Sequence, residues 1–140
     1  MIRIRRAGTV LGGVILATAL AQTTPASANS YDGKDPVSTG CSSTATTKAY
    51  ADGSGYTIEL RWSSGCATAW ARIVVENDYL SLGAAAEIIS QTDGNYACSK
   101  FSSYSTNYSS CYTPMVADGV GLKADAYGEV GGDGTYTGWF

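Results

Sequence analysis

The sequence predicts an all-β protein, a small disulfide-stapled barrel or sandwich of short antiparallel strands that follows a cleaved signal peptide. Three observations carry this expectation. Residues Tyr56 to Trp62 alternate strictly between apolar and polar side chains, the period of a half-buried strand. Similar short runs recur along the chain between turns rich in Gly and Asp, the spacing of a barrel or sandwich. All four cysteines lie beyond the leader, an even number that reads as two disulfides in an exported chain.

The leader comes first in the chain. Arg3, Arg5 and Arg6 precede an apolar run from Val10 to Leu20, and Ala26-Ser27-Ala28 follows it, so a positive n-region, an h-region and an A-x-A cleavage site stand in order. The apolar run is well short of the about 20 residues that a membrane-spanning helix needs. A signal peptide over 1–28, cut after Ala28, is therefore expected, with a single exported β domain over 29–140 and a secreted, extracellular destination. The residues after Arg5-Arg6 give little support to twin-arginine export, so general secretion is the expected route.

Cleavage changes the charge. Three of the nine basic side chains and none of the twelve acidic ones lie in the leader, so the net charge moves from −3 to −6. A negative surface without a basic cluster speaks against nucleic acid and anionic membrane as partners, because both require Lys and Arg to displace counterions.

In the exported part, residues 29–40 hold turn formers and one aliphatic side chain, and read as an irregular segment pinned by Cys41. A strand around Thr44 to Tyr50, the turn Asp52-Gly-Ser-Gly55 and the strand Tyr56 to Trp62 form a first hairpin. The alternation puts Tyr56, Ile58, Leu60 and Trp62 toward the core, and Thr57, Glu59 and Arg61 outward. After the turn Ser63-Ser-Gly65, Ala69 to Val75 returns as a β-rich strand. Further strands are expected at Ala84 to Gln91, Tyr96 to Phe101, Tyr112 to Val116, Leu122 to Tyr127 and Thr135 to Phe140. Ala84 to Ile89 fits a short helix equally well, since alanine favours helices and the apolar run is too short to decide.

Cys41, Cys66, Cys98 and Cys111 allow three pairings. The sequential one, Cys41 with Cys66 and Cys98 with Cys111, is favoured because each pair brackets one compact segment. Loop closure would then stabilise the fold by about 3.5 and about 3 kcal/mol. The C-x-x-C spacing is absent and the chain has no histidine, so no structural zinc, other metal or cofactor is expected.

Asp35-Pro36 through Gly40-Cys41, Ile58-Glu-Leu-Arg-Trp-Ser63 with Cys66, and Trp70-Ala-Arg72 resemble the YjfA-like family of small exported bacterial proteins, a domain of unknown function. Thr113-Pro-Met-Val116 and Thr137-Gly-Trp-Phe140 resemble its later part, so the likeness spans most of the exported chain. The resemblance implies export and a Cys41 to Cys66 bridge, and it carries over no activity.

Catalysis has little support. Without histidine, the Ser-His and Cys-His nucleophile systems and the commonest general base are missing. A paired-carboxylate hydrolase needs two acids about 5 to 10 Å apart. Glu59 and Glu76 are the nearest candidates, although a solvent-face strand residue and a strand end explain them better. Asp32-Gly-Lys-Asp35 and Gly131-Gly-Asp-Gly134 lack the alternate carboxylates of a calcium loop and read as tight turns.

Recognition is the stronger theme. Arg61 and Arg72 on neighbouring strands can take a carboxylate or phosphate, although pairing with Glu59 across the hairpin is the simpler role. Trp62 and Trp70 can form a sugar-stacking platform, but alternation assigns Trp62 to the core. Between Cys98 and Cys111, Tyr104, Asn107 and Tyr108 stand among six serines, the composition of binding loops. The leading expectation is a non-catalytic module that binds an unidentified protein or polysaccharide at the cell envelope or in the medium. An inhibitor presenting the disulfide-bounded loop to a secreted hydrolase comes second, and a small carboxylate hydrolase third.

Overall fold

A computed structural model describes residues 30–140. The expected leader and its cleavage site lie outside the described residues. The described residues form ten strands: β1 (Ala45–Gly53), β2 (Tyr56–Ser63), β3 (Thr68–Glu76), β4 (Ala84–Ser90), β5 (Tyr96–Cys98), β6 (Ser102–Ser105), β7 (Tyr108–Tyr112), β8 (Val116–Ala117), β9 (Ala124–Val130) and β10 (Asp133–Tyr136). Short 3-10 turns, Cys41–Thr44 and Asn77–Leu82, stand before β1 and after β3. The first sheet runs β1-β2-β3-β7-β6, with β8 also on β3, and the second runs β10-β9-β4-β5. Every pairing in both sheets is antiparallel.

The two sheets share one core, so the architecture is the sandwich of the two alternatives. Large aliphatics from the first sheet, Ile58, Leu60, Ile73 and Val75, meet small residues from the second, Ala86, Ala124 and Ala126. Gly128 shows why the second sheet is built small. A Cβ added there would stand 2.9 Å from the Ile58 Cβ, inside van der Waals contact. The Tyr56 hydroxyl ties the sheets further by donating to the backbone oxygens of Gly128 and Asp133, at 3.3 and 3.0 Å. Between β9 and β10 the two-residue turn Gly131-Gly132 has φ of 61° and 84°. Positive φ at both positions is the requirement of a type I′ hairpin, and glycine meets it without steric cost.

Both bridges form as the sequential pairing has them. Cys41–Cys66 fastens the segment before β1 to the β2–β3 turn. Cys98–Cys111 joins β5 of one sheet to β7 of the other, so it clamps the sandwich across its core.

The structure refines several boundaries. Residues Ala84–Ser90 are strand, because Ala86 and Ile88 bury one face against the first sheet in alternation, which no helix could do here. Tyr56, Ile58 and Leu60 are buried as expected, but Trp62, on the same face, is only half-buried at the margin of the core. The segment between Cys98 and Cys111 is not a free loop. It is the β6–β7 hairpin, paired through β7 to β3.

Candidate functional site

The outer face of the first sheet gathers the chemistry. One rank runs straight across four strands: Tyr50 opposite Glu59, Glu59 opposite Arg72, and Arg72 opposite Tyr112. Period-two alternation on β2 and β3 turns these side chains away from the core as surely as it turns Leu60 and Ile73 into it. Arg61 lies beside the rank, opposite Thr47, and donates to the Thr47 Oγ1 at 2.6 Å. The Arg72 Nε donates to the Glu59 Oε2 at 2.5 Å, the one ion pair among the described residues. The Tyr104 ring stands 5.5 Å from the Arg72 guanidinium, within cation–π range.

Electrostatics separate the two arginines. Partial burial acts against the charge on Arg72, but the hydrogen bond and charge of Glu59 outweigh it and raise the guanidinium above its ordinary range. Arg61 is lowered, first by burial and then by the like charge of Arg72, with Glu59 and Tyr104 offsetting only part. Arg72 is thus paired with Glu59 within the sheet, and Arg61 makes no ion pair among the described residues. The rings are well presented, with Tyr50 67% exposed, Tyr104 52% and Tyr112 37%. Burial raises the Tyr112 phenol, helped by the charge of Asp35 and a hydrogen bond to it, so that this ring is held by the N-terminal segment. Beside Tyr112 a polar cleft of about 440 Å³ opens, lined also by Asp35, Lys100, Ser102 and the Cys98–Cys111 bridge.

The structure brings Arg61, Arg72 and Tyr104 together and sets Asn107 and Tyr108 apart. Tyr108 is on the same face and 40% exposed, but it pairs with Glu76, four residues from Tyr112 and so about 13 Å along the strand. The Asn107 carbonyl accepts the Asn77 backbone N–H at 2.9 Å, a structural contact in the hairpin turn. Trp70 is buried with Cys41 and Met115 beneath the N-terminal segment, so the two tryptophans do not form a platform. Glu59 is committed to Arg72, and the registers place Glu76 four residues beyond that pair on β3. The resulting separation of about 13 Å exceeds that of a carboxylate pair sharing one scissile bond.

Two features escaped the sequence reading. Tyr50 and Tyr112 belong to the exposed rank, and the alternation of β1 and of β7 after Cys111 is the signal that could have found them. The second feature is a cavity of about 350 Å³ at one end of the sandwich, lined by Trp62, Ala67, Asp118, Gly119, Val120, Leu122 and Phe140. Asp118-Gly119 reads as a surface turn, yet Asp118 is only 5% exposed. Its Oδ2 is buried without a hydrogen-bond partner, and burial pushes its pKa up to about 6. Elsewhere Asp93 is raised by burial and by the charge of Asp32, whose Oδ2 accepts from the Tyr96 hydroxyl at 3.1 Å. No group of three or more metal-ligating side chains occurs among the described residues.

These features define a disulfide-stapled antiparallel β-sandwich with one tyrosine- and arginine-bearing face. The chain belongs to the family described as "Protein of unknown function (DUF2690)", which matches residues 29–127. It is 37% identical over 118 residues, 76% of this chain and 75% of the relative, to "Uncharacterized protein YjfA" of Bacillus subtilis (strain 168). The family expected from the sequence motifs is therefore the one found. No solved structure matches. Among the described residues no helix is long and apolar enough to cross a membrane.

Proposed function

We propose that this is an exported, non-catalytic binding module that holds a polysaccharide of the cell envelope or medium on the outer face of its first sheet. The observation that carries the reading is the cross-strand rank Tyr50–Glu59–Arg72–Tyr112 with Arg61 and Tyr104 beside it. Exposed tyrosine rings on a rigid sheet offer flat, amphipathic contact area at low entropic cost, which suits sugar rings laid along the face. Arg61, left without a carboxylate, supplies a bidentate donor for an acidic substituent on the chain. Two disulfides suit an oxidising compartment. A loop-presenting inhibitor is less well supported, because Tyr104 and Tyr108 belong to a paired hairpin and not to a protruding loop.

The test is sedimentation of the protein with insoluble cell wall from the producing cell, wild type against Tyr50→Ser with Tyr104→Ser. Retention should fall by at least about tenfold, the scale of losing aromatic contact residues worth 1 to 2 kcal/mol, with thermal stability unchanged. Equal retention of both proteins would overturn the reading, as would capture by a soluble protein with none by wall.

A further inference from the structure

The cavity at the end of the sandwich is separate from the tyrosine face and has a different chemistry. Its walls are apolar, from Trp62, Leu122, Val120 and Phe140, and Asp118 is its acid. About 350 Å³ is within the range of small-molecule sites. The corner is firmly built. The Trp62 Nε1 donates to the Asp118 carbonyl at 3.1 Å, the Asp118 N–H donates to the Ala67 carbonyl at 3.0 Å, and Phe140 pairs with Ala124 through two backbone hydrogen bonds.

Within that frame the Asp118 side chain is anomalous. It is more than nine-tenths buried, and its Oδ2 has no partner. Folded proteins leave few buried polar atoms unsatisfied, and an unpaired buried carboxylate is among the costliest. Stability alone gives no reason to keep an acid where an apolar residue would fill the same corner. The rings beside it already attract a cation: the Lys48 Nζ stands 4.7 Å from the Trp62 ring centroid and 5.5 Å from that of Phe140. Two aromatic faces that hold an ammonium, next to a buried carboxylate, are the elements of an amine site.

We propose that this cavity binds a small apolar primary amine in its ammonium form, with the apolar body between Trp62, Leu122 and Phe140 and the ammonium paired with Asp118. An apolar carboxylate of the same size would be drawn by Lys48 but repelled by Asp118. A neutral alcohol would fill the walls and leave the acid unpaired. Lys48 repels the ammonium, so it limits affinity.

The test is titration of isotope-labelled protein at pH 7.5 with hexylammonium, hexanol and hexanoate, following the Trp62 indole N–H signal, assigned with Trp62→Phe. Hexylammonium should bind at least tenfold more tightly than hexanol or hexanoate. Asp118→Asn, which keeps the shape, should erase that preference, whereas Lys48→Met should leave the affinity equal or higher. Leu122→Trp, which fills the cavity, should abolish binding and serves as a second variant. Several results would overturn the proposal: no shift with hexylammonium at 10 mM, equal affinity for amine and alcohol, or a preference that survives Asp118→Asn.

Discussion

Replacing Asp118 with Asn should change how stability depends on pH. In the folded protein, burial raises this carboxyl from the usual 3.8 to about 6, whereas in the unfolded chain it titrates near about 3.9. Between those values the folded state binds the extra proton, so stability falls as pH rises. The contribution is fully present below about pH 4 and lost as pH climbs through about 6. About two pH units at 1.36 kcal/mol each set a ceiling of about 3 kcal/mol. The absolute stability of the variant is a poor measure, since a buried amide can itself lack a partner at a cost of about 1 to 3 kcal/mol. The difference in pH dependence cancels that cost. It also cancels the contribution of Asp93, which is raised in both proteins by burial and by Asp32. Urea unfolding with the disulfides intact, at pH 4, 5, 6 and 7.5, is the assay. Wild type should lose about 2 to 3 kcal/mol relative to the variant between the two ends. A difference that stays flat across the range would mean that Asp118 is solvated or paired, and would remove the reason to regard the cavity as charged.

The core makes two further predictions. Leu60→Ala should cost about 2 to 5 kcal/mol in denaturant unfolding, while Thr57→Ala, which loses an exposed bond to Asp52, should cost less than about 1 kcal/mol; equal costs would contradict the register. Gly128→Ala should cost about 1 to 3 kcal/mol because its Cβ would press on the Ile58 Cβ, which cannot swing aside. Gly119→Ala, with open space around the added atom, should be nearly neutral, and similar losses at both positions would mean that the sheets are not so closely apposed.

How much the sequence discloses depends on whether a strand has one buried face. On β2 it does: the alternation from Tyr56 to Leu60 matches the burial residue by residue, and the Gly-containing turns bound the strand, whereas β3 is buried on both faces from Thr68 to Ala71. On Ala84–Ser90 the composition fits helix and strand equally, and only the close first sheet, absent from any local window, makes alanine the right size for a strand. The β6 strand is exposed along its whole length, so it carries no hydrophobic period, and its serines resemble a loop. The pairing that makes it a strand comes from β7 and ultimately from β3. Arg61 and Arg72 are legible as candidates because they fall on neighbouring strands, and Tyr104 because of the tyrosine- and serine-rich composition between Cys98 and Cys111. Asp118 is not legible, since an Asp-Gly dipeptide looks the same whether the aspartate faces water or is buried.

The central claim is that ligand lies on the rank Tyr50–Glu59–Arg72–Tyr112, and amide chemical-shift mapping tests it most directly. Soluble fragments released from the wall polysaccharide would be titrated into labelled protein. The account predicts shifts clustered on β1, β2, β3 and β7 at Tyr50, Glu59, Arg61, Arg72 and Tyr112, with the solvent face of β9 at Tyr127 and Glu129 unmoved. Shifts centred on that second sheet, or none on the rank while fragments bind, would contradict it.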